Sequence, residues 1–299
     1  MAKTPSSNSN IPMLRQLRSA LWRVHFARFF LALPAWRMFY KYGPTNETSR
    51  VCLDKISESL AAQSIYHDGT VLHLDPVLCG QIAQTHLSIQ DHLPFIDITE
   101  SIDADDLVTV LKSVIQTGII PAMVEYYSGA FYIDKLQFIR TRATKVPNSS
   151  ELWHRDCNDV DSIHFVYCFS SVSAEPGFSI ATKSANSFVS RLVDKTFVRR
   201  IPDHRFKRDF RELSLMTLDR PGHWLVFNPS RLWHKLHTRE TSSVYLMLTF
   251  CSRQPFYPPS PLSPKVSRAL QQALASDPRS ALLSDILPSI AFVNYEASH

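Results

Sequence analysis

Three side chains of this chain have the types and spacing needed to bind a metal ion. His154 and Asp156 are separated by one residue, and His234 follows much later in the sequence. If residues 152–157 are extended, side chains alternate across the strand, so His154 and Asp156 point to the same side. Two imidazoles and one carboxylate can hold Fe(II) on one face and leave the opposite positions open. The same donors also suit zinc, so the ligand types alone do not name the metal.

The third ligand has to come from a segment that is distant in sequence but close in space. Residues 224–227 form a short apolar run bounded by Pro221-Gly222 and Asn228-Pro229, which predicts a buried strand. His234 would then lie on the next turn or at the start of the next strand. The spacing therefore predicts that two separate strands supply the ligands.

The triplet His154-Arg155-Asp156 also occurs in the catalytic loop of protein kinases. That loop requires a leucine next and an asparagine five residues after the aspartate. Cys157 and Asp161 occupy those two positions here, and no glycine-rich loop of the required form precedes them. The sequence therefore disfavours a kinase.

Several further motifs follow the first one in a characteristic order. They are Trp153-His154-Arg155-Asp156, the apolar strand 165–172, the turn Glu175-Pro176-Gly177-Phe178, the pair Gly222-His223, and Phe227 seven residues before His234. In this order they resemble the phytanoyl-CoA dioxygenase family, a branch of the Fe(II)- and 2-oxoglutarate-dependent oxygenases. The resemblance covers roughly residues 55–253.

The resemblance implies a fold and an activity. The expected fold is mainly β with α additions: a double-stranded β-helix, which is a jelly-roll or cupin-like barrel, with N-terminal and C-terminal helices. His154, Asp156 and His234 would bind Fe(II), with 2-oxoglutarate as cosubstrate and O2 as oxidant. The enzyme would hydroxylate or otherwise oxidise a small organic or lipid-like substrate. Because related halogenases lack the carboxylate, Asp156 implies oxygenation and not halogenation.

One departure from the family concerns the cosubstrate. Members usually place an arginine on the last core strand, where its planar guanidinium pairs with the distal carboxylate of 2-oxoglutarate. Ser243 stands at that position here. Arg239 and Arg140 are the candidates to replace it, and the resemblance implies that Phe169 lines the cosubstrate pocket. Two alternatives therefore remain open: a binding or scaffold protein that has lost turnover, and an iron oxygenase that does not use 2-oxoglutarate.

The length of 299 residues suits one large domain with helical additions. We divide it into a basic amphipathic segment (1–46), the dioxygenase-like region with packed helices (47–253), and a proline-rich connector with C-terminal helices (254–299) that belongs to the same domain. Within these regions the elements that the sequence predicts include four helices and one short strand. The helices are 47–62, 76–84 with Asp75 as N-cap, 103–117 and 264–275, and the strand is 70–74.

Charge and cysteine content limit the compartments and the binding partners that we expect for this protein. Residues 1–46 contain no acidic residue and seven of the cations that give the chain its net charge of +5, so the remainder is close to neutral. Nucleic-acid binding is therefore not predicted, and a small-molecule substrate is the expected partner. The basic segment could pack on the barrel, rest on anionic lipid, or direct the chain to an organelle. Five cysteines without a close pair predict a reducing compartment, hence the cytoplasm.

Overall fold

A computed structural model describes about half of the chain in detail. The described residues are 54–84, 95–127, 131–141, 150–156, 162–170, 178–181, 200–204, 206, 215–218, 220–229, 231–236, 243–252 and 262–276. The basic segment 1–46, most of the proline-rich connector and the end of the chain after residue 276 lie outside them. The sequence-based predictions for those segments stay predictions.

Five α-helices lie among the described residues. They are α1 (Asp54–Gln63), α2 (Pro76–Gln84), α3 (Ala104–Gln116), α4 (Ile119–Tyr126) and α5 (Pro264–Ala275), with a short 3-10 turn at Thr99–Ser101. The predicted bounds of α2 and α5 are confirmed. Asp75 Oδ1 accepts a hydrogen bond from the Val77 N–H at 2.8 Å, which makes Asp75 the predicted N-cap of α2.

The interior face of α3 shows why this segment is helical. Leu107, Val110, Leu111 and Val114 recur at steps of three and four and are all at most 1% exposed. Asp103 caps the first turn, because its carboxylate accepts a hydrogen bond from the backbone of the second helical residue. The buried stripe packs against α5, while α1 packs against α4.

Nine strands form two antiparallel sheets among the described residues. The strands are β1 (Ile65–Tyr66), β2 (Phe95–Asp97), β3 (Phe131–Thr141), β4 (Ile163–Ser170), β5 (Phe178–Ala181), β6 (Leu215–Leu218), β7 (Trp224–Phe227), β8 (His234–Leu236) and β9 (Ser243–Ser252). The large sheet has the order β1-β7-β4-β9-β3-β2, and the small sheet has the order β6-β5-β8. The predicted buried strand at residues 224–227 is confirmed as β7.

The large sheet has two different faces because side chains alternate along each strand. The helix face carries Phe138, Phe165 and Leu246, which join one apolar core with the helices. The opposite face, which we call the cavity face, contributes Val166 and Tyr245 to a second core. The small sheet contributes Ile180, Leu218 and Leu236 to this second core. The two sheets therefore pack against each other with the cavity face inside.

The expectation of a mainly β fold needs correction. Among the described residues, helices and strands contribute in similar measure, so the architecture is a mixed α/β fold with two antiparallel sheets. The helices contribute this much because they cover the outer face of the large sheet. The described strands do not close into a barrel. His154 does pair with His234, the first residue of β8, through an isolated bridge at the edge of the small sheet.

The predicted strand at residues 70–74 is also incorrect. Only Val71 pairs there, in an isolated bridge with His223. Asp68 accepts a hydrogen bond from the backbone of Thr70 at 2.9 Å, and Gly69 adopts a φ of 77°, so the chain turns where the strand was expected to begin. The strand from this part of the chain that pairs with β7 lies earlier, at Ile65–Tyr66.

No single helix among the described residues is long and apolar enough to cross a membrane. The bent pair α3 and α4, which meet at 58°, passes the same test of length and composition only when the two are taken together.

Gly222 and Gly80 should respond to alanine in opposite directions. Gly222 has a φ of 85°, and a Cβ there would lie 2.7 Å from Val71 Cγ1. Gly80 lies inside α2, where a Cβ meets no atom within 4 Å. We expect Gly222→Ala to lower the free energy of unfolding by about 1–2 kcal/mol, and Gly80→Ala to raise it by up to ~1 kcal/mol. Urea unfolding of both variants measures this, and equal shifts would contradict the assigned backbone geometry.

Candidate metal centre

The segment that carries His154 and Asp156 is held by backbone hydrogen bonds to two other parts of the chain. Trp153 pairs with Ile201, and His154 pairs with His234. The Asp156 N–H donates to the Pro229 carbonyl at 2.8 Å. The predicted extended strand is thus reduced to two isolated bridges, but the predicted convergence of the two ligand segments is present.

The two imidazoles are oriented by their own backbones. His154 Nδ1 donates to the Leu152 carbonyl at 2.7 Å, and His234 Nδ1 donates to the Leu232 carbonyl at 3.1 Å. A carbonyl oxygen can only accept, so the proton of each neutral ring lies on Nδ1. The Nε2 lone pair of each ring is therefore free of a proton and available to a metal ion.

Asp156 completes the cluster. Its Oδ1 lies 3.7 Å from His154 Nε2 and 3.8 Å from His234 Nε2. One ligand atom from each of the three residues lies within 4.8 Å of the other two. Two ligands of one ion at about 2.1 Å each can be at most about 4.2 Å apart, so Oδ1 and either imidazole can reach the same ion. The structure thus brings together the three residues that the sequence predicts as ligands.

A fourth side chain touches this cluster and was not predicted. His164 Nε2 lies 3.0 Å from Asp156 Oδ2, and its Nδ1 lies 3.0 Å from Thr249 Oγ1. His164 and Thr249 are direct cross-strand partners on β4 and β9. A histidine and a threonine inside two mostly apolar strands were the available signal, but their pairing could be seen only from the register of the sheet.

Burial and hydrogen bonding give the three residues the protonation states that metal binding needs. Burial lowers the pKa of His234 to about 3, with a further contribution from His154, and burial also lowers the pKa of His154. Burial alone would raise the pKa of Asp156, but the hydrogen bond from His164 and the surrounding imidazoles bring it below its usual value. At neutral pH the imidazoles are therefore neutral and the carboxylate is charged.

The cluster opens onto a cavity of about 140 Å³ between the two sheets. Apolar side chains from both sheets make most of its walls: Phe95, Ile139, Val166, Phe178, Leu236 and Met247. Tyr245 and Ser150 add hydroxyl groups. Among the described residues that line it, none is a lysine or an arginine.

Phe169 and Arg140 do not lie where the sequence prediction placed them. Phe169 is buried on the helix face, with its ring 5.3 Å from that of Phe138. Arg140 follows Ile139, which lines the cavity, so the alternation of β3 places the Arg140 side chain on the helix face as well. The predictions for both residues are therefore corrected. The reason is that alternate side chains of a strand face opposite sides of the sheet, and these two face the helices.

Ser243 and Arg239 complete the predicted cosubstrate residues. Ser243 is buried and shares its strand face with Tyr245 and Met247, which line the cavity. The position at which the family resemblance expects an arginine thus belongs to the cavity face. Arg239 lies outside the described residues, so its candidacy stays a prediction.

A small aromatic cluster packs next to the two segments that carry the histidine ligands. Trp153 and Phe206 stack with ring centroids 4.1 Å apart, and Trp233 lies 5.9 Å from Phe206. Each tryptophan precedes a histidine of the metal cluster. Lys235, only 4% exposed, contacts both carboxylate oxygens of Asp203 at 2.6 and 2.5 Å, and Trp153 Nε1 donates to the same carboxylate.

Of the comparisons with known proteins, only the comparison with solved structures gives matches, and these are similarities of fold. No protein-family model matches the chain, and no curated protein matches it. The epimerase SnoN, in complex with Fe3+, alpha ketoglutarate and nogalamycin RO, is 9% identical with a TM-score of 0.44, and the match covers 67% of this chain and 83% of SnoN.

Two further solved structures give similar values. IDO from Bacillus thuringiensis is 15% identical with a TM-score of 0.44, over 68% of this chain and 100% of that one. EctD from S. alaskensis, with 2-oxoglutarate and 5-hydroxyectoine, is 8% identical with a TM-score of 0.44, over 71% and 80% of the two chains. Because these scores lie below 0.5, membership of the phytanoyl-CoA dioxygenase family stays a prediction. The function has to be inferred from the geometry of the metal cluster.

The contact between Lys235 and Asp203 can be tested by a double-mutant cycle. Asp203→Ala leaves the buried ammonium of Lys235 without this carboxylate. Because Asp203 is itself half exposed, we expect a loss of about 1–3 kcal/mol in the free energy of unfolding. In the Lys235→Met background the same change should cost less, and urea unfolding of the four proteins measures the difference. Strict additivity would show that the two side chains are not coupled.

Proposed function

We propose that this protein is an Fe(II)- and 2-oxoglutarate-dependent oxygenase that hydroxylates or oxidises a small organic or lipid-like substrate. The observation that carries the proposal is the geometry of His154, Asp156 and His234. Two proton-free Nε2 atoms and one carboxylate oxygen converge at the end of a mostly apolar cavity. Two nitrogens and one oxygen are the donor set of the non-haem iron oxygenases, which leave the remaining positions open.

The residues of the chain fit the ion in charge and in protonation. With neutral imidazoles, a charged Asp156 and Fe(II), the centre keeps one positive charge, which favours an anionic cosubstrate. When bound, Fe(II) and 2-oxoglutarate would together activate O2, so that an unactivated C–H bond of the substrate can be oxidised. The apolar walls, including Phe178 and Val166, exclude water from that chemistry and favour an apolar part of the substrate.

The distal carboxylate of the cosubstrate needs an anchor other than the usual arginine. Ser243 is on the cavity face but offers only a neutral hydroxyl. Arg140 is on the helix face. We therefore propose Arg239, which precedes Ser243 by four residues, as the cationic partner of that carboxylate.

Because Ser243 lacks the charge of the usual arginine, two other functions are also candidates. One is an iron oxygenase that takes its electrons from a source other than 2-oxoglutarate. The other is a scaffold protein with the fold but without turnover. The intact ligand cluster favours an oxygenase over the scaffold, because a protein without turnover has no chemical need for all three donors.

We propose a cytoplasmic location for the protein. The sequence supports this, because its five cysteines are odd in number and include no close pair, as expected in a reducing compartment. The basic segment 1–46 supports a second, narrower proposal: peripheral contact with anionic lipid, since it combines cations with an apolar stripe.

Spectroscopy under anaerobic conditions tests the proposed chemistry. We expect the protein to bind one Fe(II), and the addition of 2-oxoglutarate to produce a weak visible metal-to-ligand charge-transfer band. His154→Ala and His234→Ala should lower the affinity for Fe(II) by more than the roughly 10–100-fold that is typical of removing a hydrogen-bond partner of a ligand. His73→Ala is the matched control, because His73 is an exposed histidine outside the cluster.

The outcomes separate the three functions. Iron binding without a charge-transfer band would contradict the use of 2-oxoglutarate and leave the other type of iron oxygenase. A protein that binds no iron, and that is unchanged by His154→Ala, would be a scaffold. A loss of the band in Arg239→Leu alone, with iron still bound, would support Arg239 as the anchor.

A further inference from the structure

His164 and Thr249 form a hydrogen-bonded pair behind Asp156. The two residues are buried, with His164 only 4% exposed and Thr249 fully enclosed. They face each other across β4 and β9 on the cavity face, 85 residues apart in sequence. A buried imidazole needs a partner for each ring nitrogen, and His164 has these partners in Thr249 and Asp156.

The chemistry of Asp156 fixes the direction of its hydrogen bond with His164. A carboxylate that binds a metal ion has lost its proton and can only accept, so His164 Nε2–H donates to Oδ2. The Thr249 hydroxyl is the hydrogen-bond partner of Nδ1 on the other side of the ring. The threonine therefore holds the ring in the orientation that presents Nε2–H to Asp156.

This arrangement divides the two oxygens of the carboxylate between different tasks. Oδ2 is held by His164, while Oδ1 faces Nε2 of both His154 and His234 at 3.7 and 3.8 Å. A carboxylate with one oxygen engaged in a hydrogen bond offers a single oxygen to a metal. About a quarter of the Asp156 side chain, 24%, is exposed, so an anchor that fixes its rotation matters more than at a fully packed site.

We propose that His164 is a positioning residue that holds Asp156 as a single-oxygen metal ligand, and that Thr249 fixes the orientation of the His164 ring. The proposal rests on the proposed function, since it concerns the same metal cluster. His164 does not itself bind the ion. Its effect passes through Asp156 and appears in the affinity for the metal and in the coordination number.

Binding of Co(II) to the full-length protein tests this, because the visible absorption of Co(II) reports both affinity and coordination. His164→Leu removes the donor, and we expect a roughly 10–100-fold weaker affinity with an altered absorption spectrum as both carboxylate oxygens approach the ion. His164→Gln keeps an N–H donor at a comparable reach and should restore most of the affinity and the original spectrum. Thr249→Val should weaken binding several-fold in the same direction.

Thr141→Val is the matched control for Thr249→Val. It also removes a buried threonine hydroxyl from the large sheet, one that donates to the Ser243 carbonyl and not toward Asp156. We expect it to leave the Co(II) affinity and spectrum unchanged. If His164→Leu does not fold, as judged by urea unfolding, His164→Gln and Thr249→Val still carry the test.

Each result has a defined meaning. A folded His164→Leu protein with unchanged affinity and spectrum would overturn the positioning role while leaving the metal site intact. If His164→Gln were as impaired as His164→Leu, the effect would be one of packing, and the proposal would be wrong. A parent protein that binds no Co(II) would instead overturn the metal site itself, and the positioning role with it.

Discussion

Two backbone hydrogen bonds between His154 and His234 are the constraint on which the metal cluster depends. Each residue donates its N–H to the carbonyl of the other, at 3.0 and 2.9 Å. In an antiparallel pair of this kind the two Cα atoms are about 5.5 Å apart and the side chains lie on the same face. Ligands from two remote segments thereby become neighbours whose separation is fixed by backbone geometry and not by flexible side chains.

The rest of the fold holds this pair in place and keeps water away from it. β8 pairs with β5 through His234 and Ile180, which ties one ligand to the small sheet. Asp156 is tied to the turn after β7, and its carboxylate is tied to the large sheet through His164. The helices contribute indirectly, because they bury the opposite face of the large sheet. Mostly apolar walls strengthen the electrostatic interactions inside the cavity.

The residue types and their order along the chain predicted the ligands, but not their surroundings. His154, Asp156 and His234 could be identified because their donor types, their spacing and the order of the motifs around them agree. Phe169 and Arg140 were misplaced because the face of a strand residue depends on register, and a one-residue shift reverses it. Phe169 has the same parity as Phe165 and Tyr167, which lie in the same helix-face core. Sequence spacing alone does not show which parity of a strand faces the cavity.

The helices illustrate the opposite case. Asp75 before Pro76, and Ser263 before Pro264, combine a capping side chain with a proline at the first helical position, and both are signals contained in a few adjacent residues. The partnership of His164 with Thr249 has no such local signal. It exists only because β4 lies beside β9 in the large sheet. Local capping hydrogen bonds could thus be predicted, whereas this cross-strand contact could not.

Charge balance is the strongest remaining constraint on what the cavity can bind. Fe(II) held by one carboxylate and neutral imidazoles leaves a single positive charge, whereas 2-oxoglutarate carries two negative ones. A distal carboxylate buried beside Ser243 would therefore need a cation or several hydrogen bonds. Within the part of the chain that is described, no cation lines the cavity, the buried Lys235 is bound to Asp203, and Arg140 lies on the helix face. Arg239, in the segment between β8 and β9, is the cation closest in sequence to Ser243. Either Arg239 supplies the positive charge, or the cosubstrate is one that needs no cation at this position.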